Sequence, residues 1–266
     1  MKISIIGGGN MGGAIACGLS QGSFFQADDI TVIDINEAPL KNLQSFNPSI
    51  RTSLKSYESI AASDIILLAI KPWLIKDTLL NIKFLLDYNR HILVSVAAGI
   101  SIEEINKILL KSSDGDASAP VIFRIIPNTA ISVLQSVTLI SSHNASPEQE
   151  DLLCRIFDEL GCAILMDENK LSAGTALSSC GIAYLFRYVR AASLAGVELG
   201  FYPAEAQNLI VKTMLGAASL LDKTKENPEK EIDKVTTPGG ITIKGLNELE
   251  ANGFSNAIIK AIKASK

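Results

Sequence analysis

Lys2–Leu19 reads KISIIGGGNMGGAIACGL, an apolar run that stops at three glycines and then becomes a string of small residues. The run has the length of a buried strand, and Met11–Gln21 follows as a helix with small residues along one face. Between them stands Gly7-x-Gly9-x-x-Gly12. A glycine triplet at this spacing is a weak signal alone and gains weight where a strand enters it and a helix leaves it. Gly7 permits the tight turn, Gly9 lets the backbone approach a pyrophosphate, and Gly12 lets the helix pack closely on the strand. The helix N-terminus then presents free N–H groups and the positive end of its dipole to phosphate. The stretch therefore predicts a dinucleotide-binding turn; a merely structural glycine turn is the alternative.

Working outward, Ile30–Ile35 (ITVIDI), Asp64–Ile70 (DIILLAI), His91–Gly99 (HILVSVAAG) and Val121–Asn128 (VIFRIIPN) read as further strands, with SVTLISS and CAILM completing the sheet. Continuous apolar strands separated by helices predict a parallel sheet covered on both faces, an α/β domain of Rossmann type. Ligands in such sheets sit at the carboxyl ends of the strands. Asp34 falls at one such end, 22 residues after Gly12, where a carboxylate accepts hydrogen bonds from ribose hydroxyls and repels a 2′-phosphate. No Arg or Lys follows at once in Asp34-Ile35-Asn36-Glu37, so the residues lean toward NADH; a turn-capping Asp34 is the alternative. Ala69-Ile70-Lys71-Pro72 and Ala97-Ala98-Gly99 mark two more strand ends. Lys71 is placed to meet phosphate or a ribose hydroxyl, or is a solvated loop lysine. Ala97 is small enough for backbone to pass close to a nicotinamide.

From Glu168 onward strand signals fade. Ser172–Gly200 reads as one long helix rich in Ala, Ser and Gly, of a kind covered on several sides. Helices follow from Tyr202-Pro203, from Asn227-Pro228-Glu229, and at LNELEANG and NAIIKAIKA. The expected division is a dinucleotide-binding domain over 1–166 and an all-α domain over 167–266. With 47% apolar and 20% charged residues in 266, the chain is globular, and a net charge of −4 argues against a general nucleic-acid surface. Its four dispersed cysteines and two histidines form no metal or disulfide pattern and read as reduced, buried thiols of a cytoplasmic protein. The histidines His91 and His143 read as exposed segment-edge residues. The apolar run at the N-terminus is too short for a signal-peptide core or a membrane span.

One segment, DKVTTPGGITIKGLNELEANGF (Asp233–Phe254), completes a joint pattern with IGGGNMGGAI, AIKPW, SVAAGIS, RIIPNTAI and ALSSCGIAY. The chain resembles the pyrroline-5-carboxylate reductase family from first strand to last helix. The resemblance implies reduction of a cyclic imine carboxylate to L-proline by NAD(P)H, with NADPH commonly used in the family. It places the substrate carboxylate on the hydroxyls and N–H groups of Thr237, Gly239, Gly240 and Thr242, with Thr242 the proton donor to the ring nitrogen. It assigns Asn10, Met11, Lys71, Pro72 and Ala97 to the cofactor loops. Beside these, Asn128 follows a strand and either lines the cleft or forms a turn. The resemblance also implies a homodimer through the C-terminal helices, with dimers that often assemble further; charge and the short apolar run lead to the expectation of no nucleic-acid or membrane partner. Ala130, Cys180 and Ile182 depart from the family's usual Pro, Ser and Pro.

The chemistry agrees with the residue types. A protonated imine is already electrophilic, so no strong acid is required, and a Thr hydroxyl is enough to relay a proton to nitrogen. The hydride belongs to the dinucleotide. Glycines at 239 and 240 and a helix start beyond Pro238 make an anion cradle; a capping-and-turn cluster is the alternative. Competing readings are a β-hydroxyacid-type reductase and a non-catalytic nucleotide sensor. The first needs a lysine base on the interdomain helix, and no Lys occurs between Lys170 and Lys212.

Overall fold

The computed structural model describes residues 1–110 and 119–266. Eight strands form one sheet: β1 (Ile3–Ile6), β2 (Ile30–Asp34), β3 (Arg51–Leu54), β4 (Ile65–Leu68), β5 (Ile92–Ser95), β6 (Val121–Ile126), β7 (Ser136–His143) and β8 (Gly161–Leu165). Their spatial order is β3-β2-β1-β4-β5-β6-β7-β8. The order reverses between β1 and β4, the switch point at which doubly wound sheets bind ligands. Five helices belong to this layer: α1 (Asn10–Leu19), α2 (Glu37–Phe46), α3 (Ile75–Ile82), α4 (Ile102–Leu109) and α5 (Pro147–Asp158).

The strands are apolar on both faces because both faces are covered. Ile3, Ile5, Val32, Ile65 and Leu67 pack with Ile15 and Leu19 of α1 and with Ile156 of α5. Ile6, Ile33, Ile66 and Leu68 turn the other way, onto Ile75 and Leu79 of α3 and Ile105 of α4. Alternate residues of one strand thus enter opposite cores, as a period of two requires.

Three details differ from the sequence reading. β7 runs antiparallel to β6, with Ile125 opposite Ile140, because only a short 3₁₀ turn at Thr129–Val133 joins them; a parallel pairing needs a crossover of a dozen or more residues. β3 is an additional strand at the sheet's edge, partly exposed, so its Arg-Thr-Ser-Leu carries no apolar run. His91 is buried rather than exposed: its Nδ1 accepts the Asp87 N–H at 3.0 Å at the start of β5. Burial, with Arg90 adding to it, pulls the imidazole below its ordinary pKa, against a smaller opposing pull from Asp87 and Asp64.

The long helix α6 (Glu168–Glu198) is followed by α7 (Pro203–Thr224), α8 (Pro228–Lys234), α9 (Ile241–Ala251) and α10 (Phe254–Ala264). The chain divides into two compact units, Met1–Ser179 and Cys180–Lys266, so the division falls inside α6. The start of α6 is tied to the first unit. Glu168 accepts from Arg124 Nη1 at 3.0 Å and from the Ile102 N–H at 2.8 Å. In the second unit Gly196 lets α6 meet α7 at Ala206, and the Tyr184 hydroxyl lies on Ala261 and Ser265 of the C-terminal end. Among the described residues, Ala206 is the single buried apolar side chain beyond Ser179. Leu185, Phe186, Leu194, Leu209 and Leu215 are exposed. The cover expected for the long helix is therefore not supplied by the described residues over its part beyond Ser179.

The four thiols are unpaired, and none is fully buried as expected: Cys17, Cys154 and Cys180 are half-buried and Cys162 is exposed. Burial raises the pKa of Cys17 and of Cys154, which keeps both as weakly reactive thiols. No described helix is long and apolar enough to cross a membrane.

Candidate active site

A groove of about 710 Å³ opens along the carboxyl ends of β1, β2, β4 and β5. Its lining includes Gly7, Gly9, Asn10, Met11, Asp34, Ala69, Lys71, Pro72 and Ala97, which the sequence expects at a cofactor site. Gly12 lies beneath the groove, buried in the helix start.

The three glycines have three different geometries. Gly7 holds φ +104°, and its N–H donates to the Ile33 carbonyl at 2.7 Å. A Cβ there would stand 2.4 Å from the Ala69 carbonyl oxygen. A Cβ on Gly12 would stand 2.0 Å from the Gly7 oxygen and 2.9 Å from Ala69 Cβ. Gly9 is different: a Cβ there meets nothing within 4 Å and would project into open space. Gly9 is also the N-cap of α1, with no side-chain cap and no acidic residue in the first turn. The first N–H groups of α1 thus face a space that a Cβ would fill, which fits a pyrophosphate.

Asp34 is built into the same turn. Its Oδ2 accepts the Gly8 N–H at 2.7 Å and its Oδ1 the Asn36 N–H at 2.8 Å. The carboxylate therefore caps its own turn, the alternative offered by the sequence, and braces the glycine turn against the end of β2 while also lining the groove. On the other side of the switch point, the Ala69 N–H donates to Ile6 O and the Val96 N–H to Leu68 O, at 2.8 and 3.0 Å, so the loops after β4 and β5 continue the ladder into the groove. Ala97 is buried and Lys71 exposed.

The groove also takes in Lys55, Tyr57, Thr78 and Asn81, which sequence reasoning missed. Lys55 and Tyr57 follow β3, a strand with no apolar signature. Thr78 and Asn81 lie on α3 at helical spacing and have no motif of their own.

Asn128, expected at the substrate, does not line this groove. Asn128 is buried, and its side chain serves the local fold. Its Oδ1 accepts the Ala130 N–H at 3.0 Å and its Nδ2 donates to the Ser178 carbonyl at 3.3 Å. The Ala130 departure matters here, because a proline would have no N–H to give. In the second unit, Thr237–Gly240 closes a turn in which the Gly240 N–H donates to Thr237 O at 2.9 Å. Pro238 takes its second position and Gly239, at φ +71°, its third, as a type II turn demands. Gly240 then caps α9 without a side-chain bond, and no acid occupies the first turn. A Cβ on Gly240 would lie 2.6 Å from Thr237 Oγ1, so the glycine leaves room for that hydroxyl. Thr237 and Thr242 are both exposed. Free N–H groups and two hydroxyls gathered at a helix start make a place for an anion.

A doubly wound sheet with a glycine turn open to phosphate, followed by a helical unit, defines the class of dinucleotide-binding α/β proteins. Residues 168–266 match a family model described as pyrroline-5-carboxylate reductase dimerisation, and residues 2–99 one described as NADP oxidoreductase, coenzyme F420-dependent. Pyrroline-5-carboxylate reductase 1 of Dictyostelium discoideum is 36% identical over 99% of this chain, which spans 48% of that protein's length. Pyrroline-5-carboxylate reductase 2 of the same organism is 34% identical over 99% of this chain and 90% of its own. The structure of Plasmodium falciparum pyrroline carboxylate reductase with NADP bound superposes with a TM-score of 0.85 at 25% identity, covering 100% of this chain and 95% of that one. The chain belongs to the pyrroline-5-carboxylate reductase family.

Proposed function

We infer that the chain is a pyrroline-5-carboxylate reductase, reducing the imine of 1-pyrroline-5-carboxylate to give L-proline. The observation that carries this reading is the open glycine turn at the start of α1 in a member of this family; the start of α9 after Thr237–Gly240, without a side-chain cap, supports it. NAD(P)H, when bound, supplies the hydride for the imine carbon.

The chain's own residues do the rest. Gly7, Gly9, Asn10 and Met11 hold the pyrophosphate at the start of α1, and Asp34 accepts from the adenosine ribose. Ala69, Lys71, Pro72 and Ala97 border the nicotinamide half. Thr237 and Gly239 bind the substrate carboxylate through a hydroxyl and a backbone N–H, beside the first N–H groups of α9, while Gly240, whose own N–H closes the turn onto Thr237, leaves room for the approach. The Thr242 hydroxyl donates to the lone pair of the unprotonated imine nitrogen and relays to it one proton from water; that proton and the hydride together convert the C=N bond to the amine, and a neutral alcohol suffices because the iminium so formed is itself electrophilic. Asn128 acts by fixing the turn after β6 to α6, so its contribution to the substrate is one of positioning.

The proposed assembly is a homodimer through α6–α10, supported by the exposed apolar residues of Cys180–Lys266 and by the dimerisation model matched over 168–266. A helical unit with one buried apolar side chain gains too little from burial to be stable alone. Four unpaired thiols support a cytoplasmic setting. The partner in the reaction is a small imine carboxylate, with no role for nucleic acid or membrane. Loss of reduced-nicotinamide absorbance on adding pyrroline-5-carboxylate tests the reading. Turnover with NADH, NADPH or both is expected, and folded protein inactive with both overturns it.

A further inference from the structure

The adenosine end of the groove is bordered by a lysine that no cofactor motif marks. β3 lies outside β2 in the sheet, and its last residue, Leu54, pairs with Asp34. Lys55 comes next. Its N–H donates to the Asp34 carbonyl at 3.0 Å, and it lines the groove beside Asn36 and Tyr57. The other lysine lining the groove, Lys71, follows β4, on the far side of β1 from Asp34.

Two further observations single Lys55 out. Its φ is +59°, in the left-handed region where a Cβ crowds the backbone and where glycine or asparagine sits more easily. A lysine kept in such a conformation is a pointer to side-chain function. Lys55 also belongs to none of the ion pairs among the described residues. Nearby Lys41 is bound to Glu37 at 3.0 Å. Asp34, for its part, already has one N–H on each carboxylate oxygen. Its charge is engaged by the turn, and the cation facing the same ribose edge is uncommitted. The lean toward NADH that Asp34 gives in the sequence is thereby offset from the β3 side.

We propose that Lys55 is a specificity-determining residue that holds the 2′-phosphate of NADPH, so that one groove takes NADPH as well as NADH. The inference rests on the dinucleotide reading of the groove and not on the identity of the imine. Lysine is suited to the task, as a flexible point charge for phosphate.

The test measures dissociation constants by reduced-nicotinamide fluorescence, without substrate, for the full-length protein and its Lys55→Gln and Lys55→Gly variants. Displacement by 2′,5′-ADP and by 5′-ADP is measured alongside. NADPH and 2′,5′-ADP are expected to weaken about tenfold in both variants, with NADH and 5′-ADP within about twofold, as loss of one partly screened ionic contact implies. Added salt weakens NADPH binding to the unaltered protein and spares NADH. Lys55→Gly melts no lower than the unaltered protein, because glycine accepts the left-handed backbone. Equal weakening of both dinucleotides, no change in either, or binding of neither by the unaltered protein overturns the proposal. A protein that shows the expected binding pattern and fails to reduce pyrroline-5-carboxylate would retain this inference and lose the proposed reaction.

Discussion

Gly9→Ala and Gly12→Ala add the same methyl group to the same turn, and the structure separates their consequences. At Gly12 the new carbon lies 2.0 Å from the Gly7 carbonyl oxygen, against the 3.4 Å at which ordinary contact begins. Relief needs a shift of about 1.4 Å between the start of α1 and the glycine turn, and both are backbone. Overpacking of this kind costs about 3 kcal/mol, at the upper end of the usual range. For a chain of this size that lowers Tm by roughly 6–12 °C. At Gly9 nothing lies within 4 Å and φ is −68°, which alanine adopts freely. The fold loses only the difference between glycine and alanine as an N-cap, below about 1 kcal/mol. The methyl instead occupies the approach of the pyrophosphate. Loss of one charge-assisted hydrogen bond, about 2 kcal/mol, weakens dinucleotide binding roughly 30-fold. Thermal melting and fluorescence titration of both variants check the pair. Gly9→Ala binding like the unaltered protein would refute the assignment of phosphate to this turn, and Gly12→Ala melting like it would refute the close packing of α1 on the glycine turn.

Other outcomes follow from single contacts. Thr242→Val removes the hydroxyl proposed to relay the proton, so kcat falls about 10²-fold while the dinucleotide dissociation constant holds; unchanged turnover removes Thr242 from the chemistry. Glu168→Ala leaves Arg124 without its carboxylate and the Ile102 N–H without its acceptor. It costs about 2–3 kcal/mol in urea unfolding, and Glu168→Gln, which keeps an acceptor, costs less. The buried His91 has a pKa below that of an unfolded histidine, chiefly through desolvation. The unfolded chain therefore takes up a proton first as pH falls through about 6.5, and the native state loses stability from that point downward. Urea midpoints compared between pH 7.5 and 5 are expected to fall less for His91→Gln than for the unaltered protein; an equal fall contradicts the sign.

The sheet and its ligand edge were legible because burial on both faces leaves unbroken apolar runs such as ILL in β4 and ILV in β5. β3 was not, because an exposed edge strand is free to be Arg-Thr-Ser-Leu. The antiparallel β7 was hidden for another reason. Its direction is set by the brevity of Thr129–Val133, a property of the connection and not of the strand. At the candidate site, Gly7, Gly9 and Gly12 could be given distinct tasks from spacing alone. The bond from Gly8 to Asp34 and the placement of Lys55 could not, since the first arises from pairing of β1 with β2 and the second from pairing of β2 with β3. Asn128 shows the same limit. A polar residue after a strand reads equally as ligand or cap, and only the bonds to Ala130 and Ser178 display the cap. The long α6 misled in its own way, because small and apolar residues imply cover without saying which chain provides it.

The central claim is that this chain moves a hydride from a reduced nicotinamide to an imine carbon. It is tested most directly by supplying pyrroline-5-carboxylate with NADPH or NADH deuterated on the transferring face of the nicotinamide and analysing the product by mass spectrometry. The expected product is proline carrying a single deuterium at the former imine carbon. Unlabelled proline, or no proline from folded protein, would contradict it.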